Sequence, residues 1–117
     1  MSSPRSRARL AADPARSAPV FAALGDRTRL RLVDRLGREG PISIARLTEG
    51  ADVTRQAVTK HLRVLEGAGL ARGTRQGREQ LWQLDAAPLD EARRSLESIA
   101  RRWDEALLRL KAAVEEE

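Results

Sequence analysis

The sequence predicts a mainly α-helical chain with one small β-hairpin, and three observations predict it. Apolar residues recur at helical spacing in four stretches before residue 67 and in a long one after residue 88. Between them, Leu70–Thr74 and Glu79–Leu84 flank Arg75-Gln76-Gly77-Arg78, where Gly77 can supply the positive φ of a tight hairpin turn. The helical stretches are punctuated by capping residues at their starts (Asp26, Ser43, Thr54) and by glycines at their ends (Gly25, Gly37, Gly67). A chain of 117 residues has the size of one small domain with a single modest core.

In order, residues 1–14 (MSSPRSRARLAADP) are rich in Ser, Pro, Ala and Arg without an apolar period, and are expected to form a disordered basic tail. A helix over Ala15–Leu24 has Val20, Phe21 and Leu24 as its apolar side. A second, over Arg27–Leu36, turns Leu30, Leu32, Val33 and Leu36 inward and Arg27, Arg29, Arg31 and Arg35 outward, and Gly37, Gly40 and Pro41 stop it. Ser43 caps a short third helix, with Ile42 placed to staple onto Leu47. A tight connection through Gly50, Ala51 and Asp52 leads to Thr54, which caps a fourth helix reaching Glu66, with Val53 placed to staple onto Val58. Two short helices joined by a glycine-containing turn form a helix-turn-helix. The basic hairpin after it completes a winged helix-turn-helix, α-α-α-α-β-β-α, spanning residues 15–88. Residues 85–88 are expected as a linker before a terminal helix from Leu89 to about Glu115.

That last helix carries Leu89, Ala92, Leu96, Ile99, Trp103, Ala106, Leu110 and Ala113 at alternating three- and four-residue steps. Part of it can cover the domain's own first helix, but a domain this small has little left with which to cover so long a seam. The terminal segment, residues 89–117, is therefore expected to pair with a second copy of the chain, with Trp103 as anchor.

The net charge of +5 is unevenly spread. Residues 1–84 hold 16 Lys/Arg against 8 Asp/Glu, a net +8, whereas residues 85–117 hold 6 against 9, a net −3. A basic body with an acidic terminal helix points to a polyanionic partner for the body alone. The fourth helix fits that partner. Val58, Leu62 and Leu65 lie on one side, while Arg55, Gln56, Thr59, Lys60 and Arg63 fill a separate arc of about 140°. Those side chains can hydrogen-bond base edges and phosphates. Arg72, Arg75 and Arg78 on the hairpin suit phosphate or minor-groove contact beside it.

Composition excludes several classes. With no cysteine there is no disulfide, thiolate zinc site or thiol redox chemistry, and the lone histidine, His61, cannot build a usual transition-metal site. No nucleophile–base set or phosphate loop supports an enzyme. No apolar run has the length of a membrane span and no signal-peptide core is present, so a cytoplasmic location is expected.

The segments FAALGDRTRLRLVDRL and ISIARLTEGADVTRQAVTKHLRVLEGAGLARGTRQGREQLWQL closely resemble the ArsR-type winged-helix repressors of bacteria. The resemblance covers roughly residues 18–110 and is most specific over QAVTKHLRVLEGAGL and the Arg-rich wing. It implies a homodimer, joined through the first and last helices, that binds an imperfect palindrome in double-stranded DNA and usually represses. The family's interface agrees with the apolar positions read above, giving an expected dimer interface of Phe21, Leu96, Ile99, Trp103, Leu107 and Leu110. Its recognition helix maps onto Thr54–Glu66, which implies Arg55, Gln56, Thr59 and Lys60 as groove readers and His61 in a supporting role; with the helix and wing residues Ser43, Thr54, Arg63, Arg72, Arg75, Gln76 and Arg78 these make up the expected DNA-binding set. The family's metal sensors use a Cys-x-Cys-type motif before the recognition helix or His/Asp pairs on the last helix. Here IARLTEGAD and LDEARRSLESIARRW carry neither, so the chain resembles the metal-independent branch, with no cofactor expected and no effector assigned. A rival reading makes the polar face a docking site for an acidic protein. Duplex binding that survives moderate salt distinguishes the two.

Overall fold

The computed structural model of the chain describes residues 13–50 and 52–116. A 3-10 turn, Pro14–Ser17, leads into α1 (Ala18–Leu24) and α2 (Arg27–Glu39). The two-residue strand β1 (Ile42–Ser43) precedes α3 (Ile44–Thr48) and α4 (Arg55–Gly67). Strands β2 (Ala71–Gln76) and β3 (Glu79–Leu84) are followed by α5 (Ala86–Glu115). The helix-turn-helix is α3–α4, and β2–β3 is the wing. None of the helices among the described residues is long and apolar enough to cross a membrane.

The expected caps form as hydrogen bonds. Asp26 Oδ2 accepts from the Arg29 amide at 3.0 Å, Ser43 Oγ from Arg46 at 3.2 Å, and Thr54 Oγ1 from Ala57 at 3.1 Å. Each satisfies one of the amides that an α-helix leaves unpaired at its start. The core forms where these helices meet the sheet: Leu36, Val58, Leu62, Leu65, Leu70 and Trp82 are fully buried, with Ile42 and Leu47 beside them. Val53 packs against this core from the turn before α4.

Several boundaries differ from the sequence reading, each for a local reason. Residues 1–12 of the expected tail lie outside the described residues, as does Ala51, but Asp13 and Pro14 are ordered. Asp13 Oδ1 accepts from the Ala15 amide at 3.0 Å and Pro14 opens the 3-10 turn. The α2 helix runs through Gly37 to Glu39. A Cβ at residue 37 would lie 3.4 Å from Leu84 Cδ2, so glycine there serves helix–strand packing and the stop falls at Gly40.

Leu30 is not in the core but 53% exposed. The buried stripe of α2 is Leu32, Val33 and Leu36, and Leu30 sits about 110° round the helix from its centre at 100° per residue. It edges an open apolar groove shared with Leu24, Val33, Leu84 and Leu89.

Ile42–Ser43 adds a third strand, pairing with Trp82 and Leu81 to give the sheet order β1-β3-β2. Two residues are too few to show a period. The β2–β3 pairing runs from Ala71↔Leu84 to Gln76↔Glu79, so the turn is Gly77-Arg78 alone, with Gly77 at φ 62.

The expected linker 85–88 is instead the start of α5. Asp85 Oδ1 accepts from the Ala87 amide at 3.1 Å, and Pro88 lies in the first helical turn, where a missing N–H leaves no bond unmade. The expected seam on α5 also divides. Ala92 and Ser95 are the buried positions, and Ser95 Oγ lies 3.3 Å from Ser17 Oγ, fastening α5 to the first turn. Leu96, Trp103, Leu107, Leu108, Leu110 and Val114 are exposed. The C-terminal half of this 30-residue helix thus projects past its own domain.

Candidate nucleic-acid interface

The α4 helix is amphipathic in the way its sequence dictates. Val58, Leu62 and Leu65 are buried, and Arg55, Gln56, Lys60 and Arg63 are exposed on the opposite arc. Thr59 is half-buried, and its hydroxyl donates to the Arg55 carbonyl at 2.8 Å, so that in this geometry its oxygen can only accept from an outside group. The caps occupy one lone pair of Ser43 and one of Thr54, but each hydroxyl proton stays free to donate to an outside acceptor.

Two members of the expected set have partners within the chain. The guanidinium of Arg63 donates to Glu66 Oε1 at 3.0 Å and stands 5.5 Å from the ring centroid of Trp82, so it braces the helix against the wing. His61 is on the rear edge, its side chain 24% exposed, with Nδ1 3.4 Å from Arg29 Nη1 and 3.8 Å from Asp26 Oδ2. That places it against α2, away from the exposed arc.

On the wing, strand alternation divides the arginines. Arg72 and Gln76 share one face with their partners Gln83 and Glu79. Arg75 shares the other with Gly73 and Trp82, the face on which Arg63 approaches, and Arg78 is in the turn. Arg75, Gln76 and Arg78 are exposed.

Charge pairing separates the surfaces. Arg38 pairs with Asp34, Arg35 with Glu39, and Arg93 with both Asp90 and Glu97. Among the described residues, Arg55, Lys60, Arg75 and Arg78 form no salt bridge. The helix and wing therefore present cations whose charge is not spent among the described residues, the electrostatics that attracts phosphates. Also among the described residues, no three His, Cys, Asp or Glu side chains gather closely enough to hold a metal ion.

Sequence reading missed three contributors. Trp82 is fully buried and carries the Arg63 contact, and its place in a short alternating strand was the available signal. Gly73 lies opposite Trp82, where an added Cβ would stand 3.4 Å from the ring and 2.7 Å from Gln80 Nε2. Arg29, expected in solvent, is half-buried and donates from Nε to the Ala23 carbonyl at 2.6 Å. No pattern in the sequence marks it.

A short helix-turn-helix with a basic exposed face, followed by a basic β-wing, defines a winged-helix DNA-binding transcriptional regulator. The comparisons agree. A family model described as a helix-turn-helix domain matches residues 24–74. The chain is 37% identical over 76 residues to YuzN, an HTH-type transcriptional regulator of Bacillus subtilis (strain 168), covering 60% of this chain and 83% of that protein. It is 36% identical over 88 residues to the HTH-type transcriptional regulator Rv2034 of Mycobacterium tuberculosis, covering 75% and 78% respectively. An ArsR-like transcriptional regulator from Rhodococcus sp. RHA1 superposes with a TM-score of 0.74 at 38% identity, covering 85% of this chain and 92% of that one. The chain belongs to the ArsR family of winged-helix transcriptional regulators.

Proposed function

We propose that this regulator is a homodimeric repressor that occupies a palindromic operator in double-stranded DNA and blocks the promoter. The observation that carries the reading is the exposed face of α4, where Arg55, Gln56 and Lys60 stand open with neither cation in a salt bridge among the described residues. Arg55, Gln56, Thr59 and Lys60 meet base edges in the major groove, where an Arg–guanine or Gln–adenine pair gives specificity. Ser43, Thr54, Arg63, Arg72, Arg75, Gln76 and Arg78 surround them and contact phosphates, and His61 supports the helix from behind.

Two such faces about 34 Å apart require a dimer. The α5 helix offers its interface: Leu96, Trp103, Leu107 and Leu110 are 53–66% exposed, with Ile99 half-buried between them and Phe21 half-buried on α1. Large apolar side chains left in water along one helix favour a protein partner. Residues 13–85 then act as the DNA-binding part and α5 as the dimerisation part. A sequence with no cysteine and a single histidine supports regulation that does not depend on a metal. Repression places the protein with DNA in the cytoplasm.

Selection of bound duplexes from random DNA tests this reading, followed by footprinting of the winner and of the protein's own promoter. An inverted repeat with half-sites one turn apart is expected. Enrichment of no sequence, or of a single half-site bound by one chain, overturns it. Protection of the protein's own promoter makes it an autorepressor.

A further inference from the structure

Arg29 joins three elements through one side chain. Its Nε donates to the Ala23 carbonyl in the last turn of α1 at 2.6 Å, and its Nη1 lies 3.4 Å from Nδ1 of His61 on α4. Its backbone amide donates at 3.0 Å to Asp26 Oδ2, the same oxygen that lies 3.8 Å from His61 Nδ1. The three groups meet behind α4, on the side opposite its exposed arc. The front edge of the helix is held separately, by Arg63 over Trp82.

We infer that Arg29 is a positioning residue for sequence recognition: with His61 and Asp26 it sets the angle at which α4 is presented to DNA. This rests on the reading above that α4 enters the major groove. The apolar stripe of Val58, Leu62 and Leu65 cannot set that angle alone, because burial is non-directional and helix packing angles scatter by about 15–20°. Arg55 lies six residues from His61, about 9 Å at 1.5 Å per residue. A tilt of roughly 15° about His61 would move it by about 2 Å. That breaks a base contact, which needs a donor–acceptor distance of about 2.7–3.2 Å. It leaves non-specific attraction to the backbone nearly intact, because that term depends on charge more than on angle. A guanidinium suits the role, since its planar fork can reach a carbonyl and an imidazole together, and a lysine ammonium is a compact point charge. The hub also begins on α1, so a displacement of α1 reaches the recognition helix through Arg29.

The test measures affinity of the full chain for its best selected duplex and for a scrambled duplex of equal length, at a temperature where melting curves show every variant folded. Arg29→Lys keeps the charge and removes the fork. It is expected to weaken the selected duplex at least five-fold and the scrambled one less than two-fold. His61→Leu is expected to do the same, His61→Gln, which restores a polar partner, to recover most of the loss, and Arg29→Lys with His61→Leu to be no worse than either alone. If Arg29→Lys binds both duplexes as the unaltered protein does, or loses both equally, the inference is overturned. The two His61 variants keep the test open should the Arg29 variant fold poorly. Gln56→Ala in the same assay separates the two readings. Specificity that moves with Gln56 but not with Arg29 overturns the strut alone, and specificity that moves with neither overturns both.

Discussion

The guanidinium of Arg63 on α4 lies over the indole of Trp82 on β3, its carbon 5.5 Å from the indole centroid, and the indole is wholly buried. The wing is thereby fastened to α4 at the point where both leave the core. Trp82→Ala is expected to destabilise the fold by about 3–5 kcal/mol, the usual cost of emptying a buried aromatic site, read as a lower urea midpoint. Trp82→Phe keeps a ring under Arg63 and removes an indole N–H that has no partner among the described residues, so it should cost clearly less. Equal losses in the two variants would mean that the ring itself contributes little.

Gly40 ends α2 at φ 69, ψ −154, a backbone region that side chains other than hydrogen strongly disfavour. A Cβ there would meet nothing within 4 Å, so crowding cannot explain a loss. Gly40→Ala should still lower stability by about 1–3 kcal/mol, the range for one strained backbone position, as thermal unfolding would record. An unchanged melting temperature would show that the α2–β1 corner relaxes.

Recognition and attraction should separate by residue. Gln56→Ala is expected to change which duplexes are selected, by about 1–3 kcal/mol at one position of the site. Arg78→Ala, in the wing turn, should weaken all duplexes alike and reduce the slope of log K against log salt by roughly one. Titrations at four salt concentrations give both quantities. A change of preference in the Arg78 variant would reverse the assigned roles.

Trp103, 66% exposed on α5, should matter little within one chain and greatly between two. Trp103→Ala is expected to leave the helical circular dichroism of dilute, fully monomeric samples unchanged while weakening self-association at least ten-fold in sedimentation equilibrium, in line with a loss of about 2 kcal/mol for an interface anchor. Unaltered association would move the interface elsewhere.

Acid should weaken the fold through identified carboxylates. Asp26 is held below its ordinary value first by the Arg29 amide at the helix start, Glu39 first by the hydrogen bond from Arg35, and Asp90 first by that from Arg93. A carboxyl whose folded value is depressed contributes fully above its unfolded value, near about 4, and loses that contribution as pH falls through the lower folded one. Urea midpoints should therefore be flat from neutral pH to about 5 for these groups and fall below about 4. Asp26→Asn keeps a capping oxygen and removes the charge, so it should make the acid fall shallower. An unchanged slope would remove Asp26 from the account.

Much of this could be read in the sequence because it depends on neighbours along the chain. The three caps, the 3.6-residue stripe of α4, the hairpin turn at Gly77 and the basic arc are all local, set by backbone geometry and by the spacing of apolar residues. The same locality explains the misreadings. Leu30 fits an i, i+3 pattern with Val33 and Leu36, yet the stripe is centred by what α2 packs against. On α5 the polar Ser95, outside the apolar period, is buried because Ser17 lies beside it across the fold.

The sequence by itself determined the sequence of helices and the hairpin, the polar arc of α4 and the surplus of positive charge. The tertiary structure alone decided which of those charges stay available. It closes Arg35 onto Glu39 and the Arg46 and Leu47 carbonyls, sets Arg63 against Trp82, and draws Arg29 to Ala23 and His61, while among the described residues Arg55, Lys60, Arg75 and Arg78 form no salt bridge. An arginine reaches partners far along the chain, and whether it finds one depends on which elements fold beside it, a long-range fact that no local pattern records.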